Sequence, residues 1–291
     1  MTHPAHRDTV ALESAEIVSL QAFEGEQHIL RVHAPICAAE AQPGQFVHIS
    51  CDPLLAMRRP LSIMRVDPQQ GWVDFLFKAV GQGTRLLAAR SVGESVSLLG
   101  PIGRPFASDP QRTRPLLLGG GVGMPPMIFL AEQIQLTGGC APLVLLGSEV
   151  PFPFNRQPSR VMVPGMPEGV IAAMPLLEDR GVASRLTSLQ GYPGCFEGYI
   201  TDLARHWLDA LDETQRREVQ VFSCGPHTML AAVARLAHEY RLPCQVSLEE
   251  YMACAVGGCA GCVVRVETGS GPAMKRVCVD GPVFDAAAVF G

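Results

Sequence analysis

No apolar run in this chain approaches the roughly 18 residues needed to span a bilayer. The stretch MTHPAHRDTVALES lacks the apolar core that a secretory signal carries. Positive charge is not in excess either. With 23 Lys and Arg against 28 Asp and Glu and a formal charge of -5, nothing marks a nucleic-acid partner or an anionic membrane surface. Internal repeats and low-complexity tracts are also missing. The eight histidines are dispersed, with no His/Asp/Ser constellation suited to hydrolysis. His206, His227 and His238 fall in helical stretches, where exposure to solvent is expected. These absences leave a cytoplasmic, water-soluble protein as the expectation.

The chain has ample capacity for burial, since 47% of its 291 residues are hydrophobic. That length exceeds what one ordinary core holds, so two domains and a small appendage are expected. From about residue 12 to 106 the segments AEIVSLQAF, HILRVHA, QFVHISC, LSIMRVD, GWVDFLFKAV and ESVSLLG alternate with Gly, Pro and Asp, as in an antiparallel barrel. TRLLAAR, from Thr84, is the one helical stretch expected there. The pattern changes at about residue 112. RPLLLGGGVGMPPMIFLAEQIQ reads as a buried strand, a glycine turn and a helix from about Pro125, with PLVLLGS the next strand. REVQVFSCGPHTMLAAVARLAHEY repeats the alternation with Pro226 at a helix start, as in a doubly wound parallel α/β domain. Residues 151–168 are proline-rich enough for a surface loop. The expected division is 10–110, 111–243 and a small C-terminal domain over 244–291.

Cys254, Cys259, Cys262 and Cys278 follow C-x4-C-x2-C with a fourth Cys, the spacing that ligates a plant-type 2Fe-2S cluster. Gly257, Gly258 and Gly261 let the backbone curl and turn N–H groups toward sulfur. Structural zinc is an alternative, although it usually draws its thiolates as two separated pairs. Disulfides are another, and would require an oxidising compartment. The other six cysteines are scattered without metal spacing; most are expected to be buried small hydrophobes.

Three further motifs bear on chemistry. Arg58-Arg59-Pro60-Leu61-Ser62 can present a cation and a hydroxyl to a phosphate-bearing ligand, or can be a surface arginine beside an edge-strand proline. Lys78-Ala79-Val80-Gly81-Gln82-Gly83-Thr84 offers a glycine turn into a helix start, which suits a pyrophosphate. Gly119-Gly120-Gly121-Val122-Gly123 lets backbone approach a dinucleotide, although it is not G-x-G-x-x-G, and a plain tight turn is the alternative. Cys224-Gly225-Pro226 ends a later strand at the carboxyl edge of the sheet.

In this order the motifs resemble the ferredoxin-NADP reductase superfamily. Within it, SLEEYMACAVGGCAGCVV followed by KRVCVDGPVFDAAAVF resembles the electron-transfer subunit of two-subunit dihydroorotate dehydrogenases. The resemblance runs from about residue 14 to 288. It implies an oxidoreductase subunit of pyrimidine biosynthesis, with a flavin-binding barrel, a nucleotide-binding α/β domain and a 2Fe-2S domain. A separate FMN-containing catalytic subunit would oxidise dihydroorotate, in a heterotetramer of two of each. Electrons would then pass through the cluster and FAD to NAD.

By motif, the resemblance places Arg59, Pro60, Leu61 and Ser62 on the flavin and Leu76, Phe77 and Lys78 along its ribityl and phosphate region. Gly83 and Thr84 would lie on the pyrophosphate and Gly120, Gly121, Gly123, Gly225 and Pro226 at the nucleotide. Cys224 would lie near the nicotinamide, as the catalytic candidate, and the four tail cysteines would hold the cluster. Alternatives are the small subunit of an NADH-dependent ferredoxin:NADP oxidoreductase or of a sulfhydrogenase-type complex, and a non-enzymatic iron-sulfur sensor, which needs neither FAD nor nucleotide motifs. Two departures stand out: Ala255 replaces a frequent glycine, and LEDRGVASRLTSLQGYPGCFEGYITD is longer than the usual connection. Glu178 and Asp179, after the apolar stretch VIAAMPLL, could accept from adenosine ribose hydroxyls, while Arg180 and Arg185 could pair with a 2′-phosphate. NAD is expected over NADP.

Overall fold

The computed structural model describes residues 5–291. Residues 1–4, which open the stretch read for a secretory signal, lie outside the described residues. The chain forms two compact units. One holds the residues up to Pro105 together with Leu248–Val283, the other Phe106–Ser247 with Phe284–Gly291.

Six strands close a barrel: β1 (Ala11–Phe23), β2 (Gln27–His33), β3 (Phe46–Ile49), β4 (Arg59–Asp67), β5 (Trp72–Lys78) and β6 (Ser95–Ile102). Their order is β1-β2-β5-β4-β3-β6, and every neighbouring pair is antiparallel. Register shifts at Ile17/Ser19, Phe46/His48 and Ile63/Arg65 supply the local bends that closure needs. Ile17, Leu30, Ile49, Ile63, Phe75 and Leu98 are fully buried there. Two helices interrupt the strands, α1 (Pro35–Glu40) and α2 (Gln82–Ala88). The sequence pattern does not anticipate α1, and the reason is physical. Its first N–H groups are capped from a distant strand: the buried Glu13 carboxylate accepts from Ile36 N at 2.9 Å and Cys37 N at 2.8 Å.

The second unit alternates strand and helix. It contains β7 (Arg114–Gly120), α3 (Met124–Thr137), β8 (Leu143–Gly147), the two-residue pair β9 (Gln157–Pro158) and β10 (Ala172–Ala173), and α4 (Pro175–Glu178). These are followed by β11 (Ala183–Ser188), β12 (Phe196–Glu197), α5 (Ile200–Ala210), α6 (Glu213–Arg217), β13 (Val219–Cys224), α7 (His227–Tyr240) and β14 (Cys244–Ser247). β13 is buried along its whole length, and so is β7 after Arg114, as central parallel strands are. The stretch that looked like an overlong connection carries β11 and β12, which extend the sheet in parallel. VIAAMPLL, by contrast, contributes only the short β10 as strand and then the first residues of α4.

The tail adds a hairpin, β15 (Val263–Thr268) with β16 (Gly271–Arg276), then α8 (Val277–Asp280), β17 (Val283–Asp285) and α9 (Ala286–Phe290). The sheet order is β12-β11-β8-β7-β13-β14-β17. Chain order reverses around β7, with β8 on one side and β13 on the other, which makes a topological switch point. No helix among the described residues is long and apolar enough to cross a membrane.

Candidate functional site

The first unit carries the barrel motifs and the tail cysteines together. Arg59 opens β4, and the structure sets its guanidinium against Gly83: a Cβ there would stand 2.8 Å from Arg59 Cζ and Nε. Two motifs about twenty residues apart thus form one cradle that only glycine leaves open. Arg59 Nη1 donates to Met57 O at 2.8 Å and to Arg58 O at 3.1 Å. Arg58 has a different task. It binds Ser97 O and Oγ at 2.7 and 2.8 Å and His48 O at 3.2 Å, joining β3 to β6. Pro60 and Ser62 are half-buried beside buried Leu61. At the end of β5, Leu76 and Phe77 are buried, Phe77 stacked on His28 at 5.3 Å, and Lys78 is half-buried. The Leu76 and Phe77 side chains belong to the barrel packing, which leaves backbone and the Lys78 side chain as what this strand end can offer a ligand. Thr84 Oγ is engaged with Gly81, donating to its O at 3.2 Å and accepting from its N at 3.1 Å.

The four tail cysteines meet as two pairs. Cys254 and Cys259 hydrogen-bond through their side chains, as do Cys262 and Cys278. Backbone donors surround them: Cys259 N lies 3.4 Å from Cys254 Sγ, Gly261 N 3.4 Å from Cys259 Sγ, and Cys278 N 3.5 Å from Cys262 Sγ. Burial opposes ionisation of Cys254, but the N–H groups of Cys259, Val256 and Gly258 and the Cys259 thiol outweigh it and lower the thiol to about 7. Burial, then the neighbouring Cys262 thiol, push Cys278 up to about 12. Among the described residues no three His, Cys, Asp or Glu side chains converge on a single-ion position. Two thiol pairs beside backbone N–H donors offer four thiol ligands, the number that a two-iron cluster takes. Among the described residues no disulfide joins any of the ten cysteines.

In the second unit the glycine turn and the Cys224-Gly225-Pro226 turn are one structure. Gly119 pairs with Cys224 across parallel β7 and β13, at their carboxyl ends. A Cβ on Gly123 would meet the Cys224 carbonyl, and one on Gly120 or Gly225 would meet the Met229 side chain. Gly121 adopts φ +55 and would place a Cβ in open space, so this peptide is where a ligand can approach. Cys224 itself is buried and Pro226 caps α7.

Several residues weighed for nucleotide choice are committed elsewhere. Glu178 is buried and accepts from Ser159 Oγ at 2.9 Å and from Arg160 N, anchoring the loop after β8. Arg185 is buried too, donating to the carbonyls of Val161, Val170 and Ser184 at 2.9, 3.1 and 2.7 Å. Arg180 pairs with Glu132 at 3.1 Å. Asp179 keeps the most exposed side chain of the four, 3.9 Å from Arg160. His206, His227 and His238 are exposed, as expected.

One residue of interest escaped the sequence reading. His48 is 1% exposed on the face of β3 opposite Ile49, and neither ring nitrogen has a hydrogen-bond partner of normal geometry. Burial and the neighbouring Arg58 lower it to about 4, against the weaker pull of the Met252 and Arg58 backbone. Met252 lies two residues before Cys254, so this ring marks where the cysteine-bearing segment covers the barrel. A histidine within an apolar strand gives no sequence signal of that contact.

Comparison with known proteins agrees with this geometry. The family described as the iron-sulfur cluster binding domain of dihydroorotate dehydrogenase B matches residues 249–290. The dihydroorotate dehydrogenase B (NAD(+)) electron transfer subunit of Desulforamulus reducens is 30% identical over 93% of this chain and 95% of its own length. That of Bacillus caldolyticus is 34% identical over 97% and 98%. The chain belongs to this family of electron transfer subunits. Among solved structures, one of an NADH-dependent reduced ferredoxin-NADP oxidoreductase, studied for flavin-based electron bifurcation, aligns with TM-score 0.75 and 25% identity over 95% of this chain and 90% of its own. A ferredoxin reductase in carbazole 1,9a-dioxygenase, at TM-score 0.61 and 20% identity over 80% and 67%, shares the fold.

Proposed function

We propose that this chain transfers electrons between a dihydroorotate-oxidising partner and NAD, holding FAD on its barrel and a 2Fe-2S cluster in its tail. The observation that carries the reading is the pairing of four thiols, ringed by backbone N–H groups, in one compact unit with the Arg59–Gly83 cradle. When bound, these groups supply the exchange between a hydride and single electrons. The chain's own residues bind and orient. Cys254 and Cys259 would hold one iron, and Cys262 and Cys278 the other. Arg59 would donate to the flavin phosphates, with the Gly83 backbone close beside them, and Ser62 would offer a hydroxyl to the flavin ring. At the switch point, Gly120, Gly121 and Gly123 would admit the nucleotide against backbone, and the turn Cys224-Gly225-Pro226 would face its nicotinamide. Cysteine ligands stay reduced in a cytoplasmic setting, which is where we place the protein.

The exposed stretch around Tyr251, Val256 and Cys259 is where an FMN-containing catalytic subunit would dock, in an assembly of two of each. Cys259 is the exposed thiol of the four, so electrons enter most directly from that side. The test is purification with and without that subunit. Flavin bands together with iron-sulfur absorption, about two irons per chain, and NADH formation from dihydroorotate only in the complex are expected. One zinc and no iron in anaerobic protein refutes the cluster. A preference for NADPH refutes the choice of nucleotide and favours a ferredoxin:NADP role.

A further inference from the structure

Two carbonyls of the cysteine loop are turned outward onto guanidiniums. Arg276 Nη1 donates to Gly257 O at 2.8 Å, and Arg7 Nη2 donates to Val256 O at 2.8 Å. Each arginine has an anchored neighbour or backbone beside it. The Arg276 backbone N–H donates to Asp280 Oδ2 at 2.8 Å, and His6, beside Arg7, places Nε2 3.1 Å from Val279 O.

A planar trans peptide points its C=O and the following N–H in opposite directions. Holding the oxygen of Val256 therefore aims the N–H of Gly257 the other way, and holding the oxygen of Gly257 aims the N–H of Gly258. Those two N–H groups face thiols: Gly257 faces Cys278 and Gly258 faces Cys254. Each thiol pair thus receives one donor whose direction is set by one arginine. Gly257 has to be glycine for this, since it sits at φ +85 and a Cβ would lie 2.5 Å from Val279 Cγ2.

We propose that Arg7 and Arg276 are positioning residues that set the reduction potential of the iron-sulfur centre, each by orienting one peptide N–H toward a ligand sulfur. The proposal rests on the 2Fe-2S reading above. An N–H donor stabilises the extra negative charge that sulfur carries after reduction, so orienting it raises the potential. Arg7 belongs to the short turn Ala5–Arg7, outside the barrel strands and the β15–β16 hairpin.

The test is redox titration of the complete holoprotein, with pulsed EPR of exchangeable protons near the reduced cluster. Arg7→Ala is expected to keep its full cluster, titrate at a more negative potential, show weaker coupling to one exchangeable proton, and lose iron faster to a chelator. Arg276→Gln keeps a donor without the charge and is expected to shift in the same direction, by less than Arg276→Ala. Unchanged potential and coupling in fully loaded Arg7→Ala and Arg276→Gln overturns the proposal. So does a shifted potential with unchanged coupling, which would be the effect of the charge alone. Absence of iron-sulfur absorption in the unmodified protein is a different result and overturns the cluster itself.

Discussion

Gly83→Ala separates ligand binding from folding more sharply than removal of Arg59 does. The added methyl would stand 2.8 Å from Arg59 Cζ and Nε and 2.9 Å from Nη2. These atoms end a flexible side chain, so the guanidinium swings away and the backbone stays. Gly83 lies in α2, where alanine is favoured over glycine by about 0.5–1 kcal/mol, so the ligand-free protein is expected to be as stable as the parent or slightly more so. Flavin affinity moves the other way. Losing one charge-assisted hydrogen bond costs about 1.5–3 kcal/mol, which is about 10- to 150-fold in Kd. Arg59→Ala should lose the same amount, and the double variant little more, because both changes remove one interaction. The assay is FAD titration of apoprotein for all four members of the cycle, with thermal unfolding of each. Losses that add, or Gly83→Ala protein that holds FAD as tightly as the parent, would refute the Arg59–Gly83 cradle.

Other expectations follow from the same contacts. His48 is neutral in the folded protein, lowered to about 4 from an ordinary 6.5, so its contribution is fully present above pH 6.5 and lost as pH falls toward 4. That amounts to about 3 kcal/mol, and denaturant unfolding of His48→Gln between pH 7 and 4.5 should show a correspondingly flatter profile. Glu178→Ala is expected to cost about 2–4 kcal/mol of stability by stranding Ser159 and the Arg160 N–H, while the ratio of kcat/KM for NADH and NADPH stays unchanged. A switch in that ratio would restore Glu178 as a ribose acceptor. Gly123→Ala pushes a methyl into the Cys224–Gly225 backbone, which cannot swing aside, and should cost about 3 kcal/mol together with NADH affinity. Full NADH affinity in that variant would show that the two turns need not be in contact.

The six barrel strands were legible because Gly, Pro and Asp punctuate alternating segments, and the β7–glycine turn–α3 unit because a buried parallel strand reads as an unbroken apolar run. α1 was not legible, since its capping group is Glu13 on β1 rather than a neighbour in sequence. Glu178 and Arg185 were misleading for a related reason. Charged residues after an apolar stretch suggest a ligand, but here their partners are carbonyls, hydroxyls and N–H groups of a loop folded over them. Composition cannot distinguish a charge kept for a ligand from one consumed by the fold.

The cysteine spacing announced the cluster, yet the loop's conformation contradicts local preference. Ala255 and Ala260 adopt φ +56 and +54, the left-handed region where a Cβ costs about 1–2 kcal/mol and glycine is the usual choice. The replacement at Ala255 therefore carries backbone strain. Its methyl is 1% exposed, so some of that cost is offset by burial that glycine could not provide. Ala260 is exposed and has no such offset. Strain of this kind persists only where the surroundings over-determine the backbone, and here they do: thiol pairs on one side, guanidiniums holding carbonyls on the other. The segment where residue type and backbone conformation disagree is the same segment whose side chains carry the chemistry.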